Sequence, residues 1–175
     1  MEKRNWMDTT IRIAGIVRES IVDGPGIRLV VFTQGCPHHC EGCHNPQSHD
    51  FEAGYDCELS KITAELDKNP LLSGVTFSGG EPFCQPQALH KLALEVKKRG
   101  LSLMTYSGYT YEQLVAMAKT NAAVGQLLDD TDILVDGRFV LAERDLTLTF
   151  RGSRNQRIID MAKTNASKQV VTMQF

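Results

Sequence analysis

Along residues 74–135, short apolar or β-branched runs alternate with segments of helical period, and this alternation limits the fold more than any other feature. Runs bounded by Gly, Asp or Ser predict strands at residues 11–17, 28–34, 74–77, 101–106 and 132–135. Between the later strands, Leu89, Leu92, Ala93 and Val96 repeat at helical spacing, with Lys97, Lys98 and Arg99 in the last turn and Gly100 suited to the left-handed position that ends a helix. Thr110 and Gln113 form a capping box ahead of Leu114, Met117 and Ala118, and Ser60 is placed to cap a helix using Ile62 and Leu66. Strands alternating with helices build βαβ units on a mostly parallel sheet; the first two strands, joined by a turn-rich segment, have antiparallel pairing open to them. Such sheets gather their functional groups beyond the carboxyl ends of the strands. The loops after four of these strands are unusual: Gly35 to Pro46 with its cysteines, Ser78-Gly79-Gly80-Glu81-Pro82, Ser107-Gly108-Tyr109, and Asp136-Gly137-Arg138. Four loops of distinctive chemistry are therefore expected on one rim.

The 175 residues suit a single domain, 1–175, and no repeat or composition shift divides them. Nineteen Lys and Arg against twenty-one Asp and Glu leave a net charge of −2, too little to hold nucleic acid or an anionic membrane by charge alone. Residues 1–10 are polar and lack the apolar core of a signal peptide, and no run approaches the roughly 18 apolar residues of a membrane span. A cytoplasmic location is the expectation. There, thiols stay reduced, and clustered cysteines indicate metal or redox chemistry rather than disulfides.

Three of the five cysteines, Cys36, Cys40 and Cys43, form Cys-x-x-x-Cys-x-x-Cys within Gly35-Cys-Pro-His-His-Cys-Glu-Gly-Cys-His-Asn45. Thiolates this close in sequence can wrap one soft metal centre. Zinc would complete a closed Cys₃His set with His38, His39 or His44. A [4Fe–4S] cluster takes one ligand per iron, so three thiolates leave one iron open to a substrate or cofactor. Cys57 and Cys84 have no comparable companions and read as small buried hydrophobes. Gly79-Gly80-Glu81, directly after an apolar strand, offers backbone groups with no side chain in the way and a carboxylate able to receive an ammonium.

Taken together, Cys36, Cys40, Cys43 and the later Gly79-Gly80-Glu81 resemble the radical S-adenosylmethionine (SAM) superfamily. Val22-Asp23-Gly24-Pro25-Gly26-Ile27-Arg28 resembles the Asp-Gly-Pro-Gly-x-Arg signature of glycyl-radical-enzyme activases. The Cys-x-His-x-Cys-x-Gly-Cys-x-Asn pattern ending at Asn45, Tyr106-Ser-Gly-Tyr109, Asp132-Ile-Leu-Val-Asp-Gly-Arg-Phe-Val140 and Arg151-Gly-Ser-Arg-Asn-Gln156 are similar to the activators of anaerobic ribonucleotide reductases. The resemblance runs over about residues 11–160 and leaves 161–175 as a last strand or a loose tail. Gly42 stands where many radical SAM proteins have an aromatic residue, as it does in the reductase activators.

The resemblance implies an α/β fold, an incomplete (β/α) barrel of the radical SAM type open at one side. It implies a [4Fe–4S] cluster on Cys36, Cys40 and Cys43, which are at once metal ligands and catalytic residues. SAM would be the cofactor, its ammonium received at Gly79, Gly80 and Glu81 and its adenosyl part bordered by Gly42, Cys43 and His44. Reductive cleavage of SAM would yield a 5′-deoxyadenosyl radical that takes hydrogen from a glycine of the partner, an anaerobic ribonucleoside-triphosphate reductase, with a low-potential electron donor as second partner. Asp23, Gly24, Gly26 and Arg28 would clamp the reductase backbone. Alternatives remain at this level: an activase of formate-lyase type, a small-molecule enzyme such as the deazaguanine-forming synthases, or a non-enzymatic iron–sulfur carrier or zinc module. Arg151, Arg154 and Arg157 form a basic cluster suited to a partner or simply to solvent.

Overall fold

Seven strands make one mixed sheet in the computed structural model, which describes residues 6–175. In chain order they are β1 (Thr10–Ser20), β2 (Arg28–Thr33), β3 (Tyr55–Glu58), β4 (Gly74–Gly79), β5 (Ser102–Tyr106), β6 (Ile133–Asp136) and β7 (Arg157–Asp160). Helices α1 (Leu59–Lys68), α2 (Pro86–Lys98), α3 (Tyr111–Ala118), α4 (Ala122–Asp130) and α5 (Met161–Ser167) alternate with the later strands. The spatial order is β3-β1-β2-β4-β5-β6-β7. β2, β4, β5 and β6 run parallel; β1 pairs antiparallel with β2 and β3, and β7 antiparallel with β6. β3 and β7 are the end strands and do not pair with each other, so the βα array stays an incomplete barrel.

Side-chain alternation assigns the two faces different work. Leu29, Val31, Val75, Phe77, Leu103 and Leu134 point to the face covered by helices, where they bury Ile62 and Leu66 of α1, Leu89 and Leu92 of α2, and Val124 and Leu127 of α4. Each such side chain contributes about 1.5–3 kcal/mol by leaving water. The opposite face carries Met104, Val135 and Ile158, with Tyr106, Phe150 and Met173 packed beside them. This second, smaller core floors a cavity at the carboxyl ends of the parallel strands.

Local signals place the helix ends. Thr110 Oγ1 accepts from Gln113 N and Gln113 Oε1 from Thr110 N, the reciprocal capping box expected of that pair. α2 ends in Lys97 and Lys98, and Gly100 takes φ +70° as expected. Ser60 does not cap α1: it lies inside the helix, whose N-cap is Glu58 with no side-chain bond. β1 and β2 adopt the antiparallel alternative. The chain end is docked: Asp160 N donates to Val171 O, Met173 N to Ile158 O, and Phe175 packs edge-on against Phe150. Among the described residues, no helix is long and apolar enough to cross a membrane.

Candidate functional site

The loops after β2, β4, β5 and β6 converge at the carboxyl ends of the parallel strands and enclose a cavity of about 410 Å³. Cys36, Cys40 and Cys43 line it together with Gly79, Gly80 and His44, so residues up to 44 positions apart meet in one space. Phe139, Leu148 and Phe150 supply apolar wall. Tyr106, on β5, closes part of it by donating its hydroxyl to Phe150 O at 2.5 Å, and burial holds that phenol well above the ordinary tyrosine range.

Several backbone bonds shape the cysteine loop. Gly35 N donates to Ser48 O, Cys36 N to His49 O and Cys43 N to Cys40 O, while Asn45 N points at Cys43 Sγ at 3.4 Å. Cys36 is buried, and that burial pushes its thiol up from the usual value. A free thiol there stays protonated, so taking up a metal releases a proton and creates the thiolate. Among the described residues, no three His, Cys, Asp or Glu side chains are gathered tightly enough for one metal ion. Three thiols around a shared cavity instead fit a larger cluster that takes one thiolate per iron. Three sulfur donors match that chemistry; His38, His44 and His49 line the same cavity, with His38 already paired to Glu81.

The glycine pair has a steric origin. A Cβ on Gly80 would stand 2.3 Å from Gly35 O, and one on Gly79 would stand 2.6 Å from Thr33 N at a φ of +92°. Gly80 N donates to Thr33 O and Glu81 N to Gly35 O. The two glycines therefore let the β4 loop cross directly onto the root of the cysteine loop.

Glu81 turns away from the cavity. Its carboxylate is fully buried and accepts from Phe83 N (3.0 Å), Gly108 N (2.8 Å) and Ser107 Oγ (3.0 and 3.1 Å), and it pairs with His38 Nε2 at 2.7 Å. In this structure the acid ties three loops together, with His38 stacked edge-on to Tyr109, and is not free to receive an ammonium. Gly42 also falls outside the cavity lining; it packs on Leu141 and Phe139, whereas Cys43 and His44 face inward.

The upstream turn corrects a further expectation. Arg28 has no exposed surface and Gly24 is buried against it, so neither can clamp a partner. Gly26 abuts Ser73, at the opposite ends of the strands. Only Asp23 of that set lines the cavity. Cys57 is buried as expected, but Cys84 is exposed on a short turn after Glu81. The three downstream arginines do not form a cluster: Arg157 pairs with Asp136 and Glu112, Arg154 lies 4.0 Å from Asp145, and Arg151 lines the cavity. The β6 loop residue Asp136 is buried in that pairing, and Arg138 is exposed. Arg151 is the site residue that sequence reasoning placed on a surface; its neighbour Gly152 was the available signal.

Comparison with known proteins adds family. Residues 22–159 match the model of the 4Fe-4S single cluster domain. The anaerobic ribonucleoside-triphosphate reductase-activating protein of Salmonella typhimurium is 34% identical over 145 residues, covering 78% of this chain and 90% of that protein. The protein of the same name from Escherichia coli K12 is 33% identical with the same coverage. A pyruvate formate-lyase-activating enzyme of Clostridium pasteurianum is 36% identical over 132 residues, covering 72% of this chain and 55% of that one. Among solved structures, QueE from Escherichia coli superposes with a TM-score of 0.49 at 16% identity, over 63% of this chain and 57% of that one.

Proposed function

Since this chain belongs to the 4Fe-4S single cluster domain family and to the family of anaerobic ribonucleoside-triphosphate reductase-activating proteins, we propose that it installs the glycyl radical of an anaerobic ribonucleotide reductase by radical SAM chemistry. The observation that carries the reading is the meeting of Cys36, Cys40 and Cys43 with the Gly79–Gly80 backbone around one cavity. When bound, a [4Fe–4S] cluster would supply the single electron for reductive cleavage of SAM, the chemistry that would end in removal of a hydrogen atom from a glycine of the reductase.

The chain's own residues bind, orient and exclude water. Cys36, Cys40 and Cys43 would each hold one iron of the cluster, leaving one iron without a protein thiolate and open to SAM. Gly79 and Gly80 offer backbone oxygen to its ammonium. His44 and Cys43 border the nucleoside side, and Phe139, Leu148 and Phe150 keep the reacting centre dry. Glu81 acts one layer back, fixing the cysteine loop to the β5 loop through His38, Ser107 and Gly108. Asp23, at the mouth of the cavity beside exposed Val22, is the residue of the upstream turn left to meet the reductase. The sequence match spans nine-tenths of the reductase activators and little over half of the lyase activator, which favours the reductase as partner.

The test is anaerobic incubation of the reconstituted protein with SAM, the reductase and dithionite in place of the natural electron donor. A doublet electron paramagnetic resonance signal on the reductase, with 5′-deoxyadenosine formed, is expected. Cys40→Ala should abolish iron loading and signal together, and Cys57→Ala should retain both. Methionine release without a radical on the reductase would reject the assigned substrate; a colourless protein that loads no iron would reject the chemistry itself.

A further inference from the structure

The Arg151–Gly152–Ser153–Arg154–Asn155–Gln156 segment has no part in the proposed chemistry, yet its hydrogen bonds all serve one outcome. Gln156 Oε1 accepts from Gly152 N at 2.9 Å and Ser153 N at 3.1 Å, and Gln156 Nε2 donates to Gly137 O at 3.1 Å. Ser153, with no exposed surface, donates its hydroxyl to Asn155 Oδ1 and accepts from Val140 N. Asn155 Nδ2 in turn donates to Arg138 O at 2.8 Å. Ser153, Asn155 and Gln156 thus spend their side chains within the loop or on the residues after β6, and Arg154 N donates to Glu143 O while Gly152 O accepts from Asp145 N, so the segment is pinned.

Gly152 brings it close to the cysteine loop. A Cβ there would lie 3.0 Å from the Phe139 ring and 3.5 Å from His44 Cε1. Arg151 is the residue this pinning presents. It is half-buried, and it is the sole Lys or Arg among the described residues lining the cavity. Its one hydrogen bond runs from Nη1 to Gln156 O at 2.5 Å, and among the described residues it makes no ion pair. Nε and Nη2 are left with no acceptor among the described residues. A guanidinium held partly out of water with spare donors is a receptor for an anion, and its planar fork suits a carboxylate.

We propose that Arg151 binds the α-carboxylate of SAM and so selects the intact methionyl end of the cofactor; this rests on the radical SAM function proposed for the chain. The carboxylate is the single anionic group of SAM, and Arg151 is the single fixed cation lining the cavity among the described residues. The role is one of binding and specificity.

The experiment is equilibrium binding to the anaerobically reconstituted protein, with SAM and with decarboxylated SAM, the same sulfonium lacking only the carboxylate. Arg151→Gln should raise the Kd for SAM about tenfold or more, as loss of a charge-assisted bidentate contact does. It should leave the Kd for the decarboxylated compound within about twofold, with iron content and visible absorbance unchanged. Arg151→Lys, which keeps charge but not the fork, should fall between, and it carries the test if the glutamine variant fails to load iron. A SAM Kd that does not move, or equal losses for both compounds, overturns the assignment. A wild-type protein that carries its cluster yet binds no SAM overturns the proposed function itself.

Discussion

Two arginines in motif segments, Arg28 after the upstream turn and Arg151 after β6, have opposite fates. Arg28 is fully buried and spends five hydrogen bonds on neutral oxygens: Nε on Thr76 Oγ1, Nη1 on Pro25 O and Ser102 Oγ, Nη2 on Val75 O and Ser102 O. Burial pulls its guanidinium down to about 10, against the weak opposing pull of Asp132. The glycine-rich turn folds around it, for a Cβ on Gly24 would stand 2.7 Å from Arg28 Cδ. Arg151 makes one bond and faces a cavity. Proximity to a signature therefore says little about an arginine's task. The number of its donors already satisfied by the chain says much more, because donors left unmatched at a cavity wall stay available to a ligand, whereas those of Arg28 are all taken.

The comparison is broken most directly at Arg28. Arg28→Met keeps much of the volume but leaves Pro25 O, Val75 O and Ser102 O without their donor. We expect a loss of about 3–5 kcal/mol in urea unfolding, since each unpaired buried carbonyl costs about 1–3 kcal/mol. The fraction that folds should bind SAM as the wild type does. A stable Arg28→Met protein that has lost SAM would make Arg28, not Arg151, the binding arginine.

Glu81 gives a middle-sized effect and tests how the cavity wall is held. Glu81→Gln replaces one acceptor oxygen by a donor facing groups that already donate, at a cost of about 2 kcal/mol. Because His38 sits between Cys36 and Cys40, the same variant should retain less iron after desalting. Full iron retention with weakened SAM binding would instead mean that the carboxylate turns into the cavity when the cofactor is present.

These outcomes also mark where the sequence was readable. Continuous apolar runs such as Leu29-Val30-Val31-Phe32 announce buried central strands, and β2, β4, β5 and β6 lie where they point. β3, Tyr-Asp-Cys-Glu, shows a single buried residue, Cys57, and so has no period to detect. β7 is four residues long and its first, Arg157, looks like part of a basic cluster until Asp136 and Glu112 are seen beside it. The convergence of four loops on one rim follows from topology and was legible. The direction of the Glu81 carboxylate was not, because its partners Ser107 and Gly108 come from the next βα unit. The same holds for Arg151, whose place depends on Gln156 reaching back to Gly137.

The smallest effect concerns a third manner of satisfying a guanidinium. Arg157 bridges buried Asp136 and exposed Glu112, with Nη2 at 2.5 Å and 2.7 Å from the two carboxylates. Its hydrogen bond with Arg157 is the main reason the Glu112 carboxyl lies below its ordinary value of 4.5. A carboxylate depressed in the folded state adds stability that is fully present above the unfolded value and is lost as pH falls through the folded one. Glu112→Gln should therefore cost about 0.5 kcal/mol near neutral pH, an exposed pair being screened by solvent. The difference from wild type should shrink toward nothing once the pH lies below the depressed value, as urea titrations at neutral and strongly acidic pH would show. The Kd for SAM should not change, because Arg157 points at α3 while Arg151, six residues earlier, points at the cavity. If Glu112→Gln weakened SAM as Arg151→Gln is expected to, the loop would be held by its ion pair rather than by Gln156, and the line between a structural and a ligand-facing arginine would have to be redrawn inside this one segment.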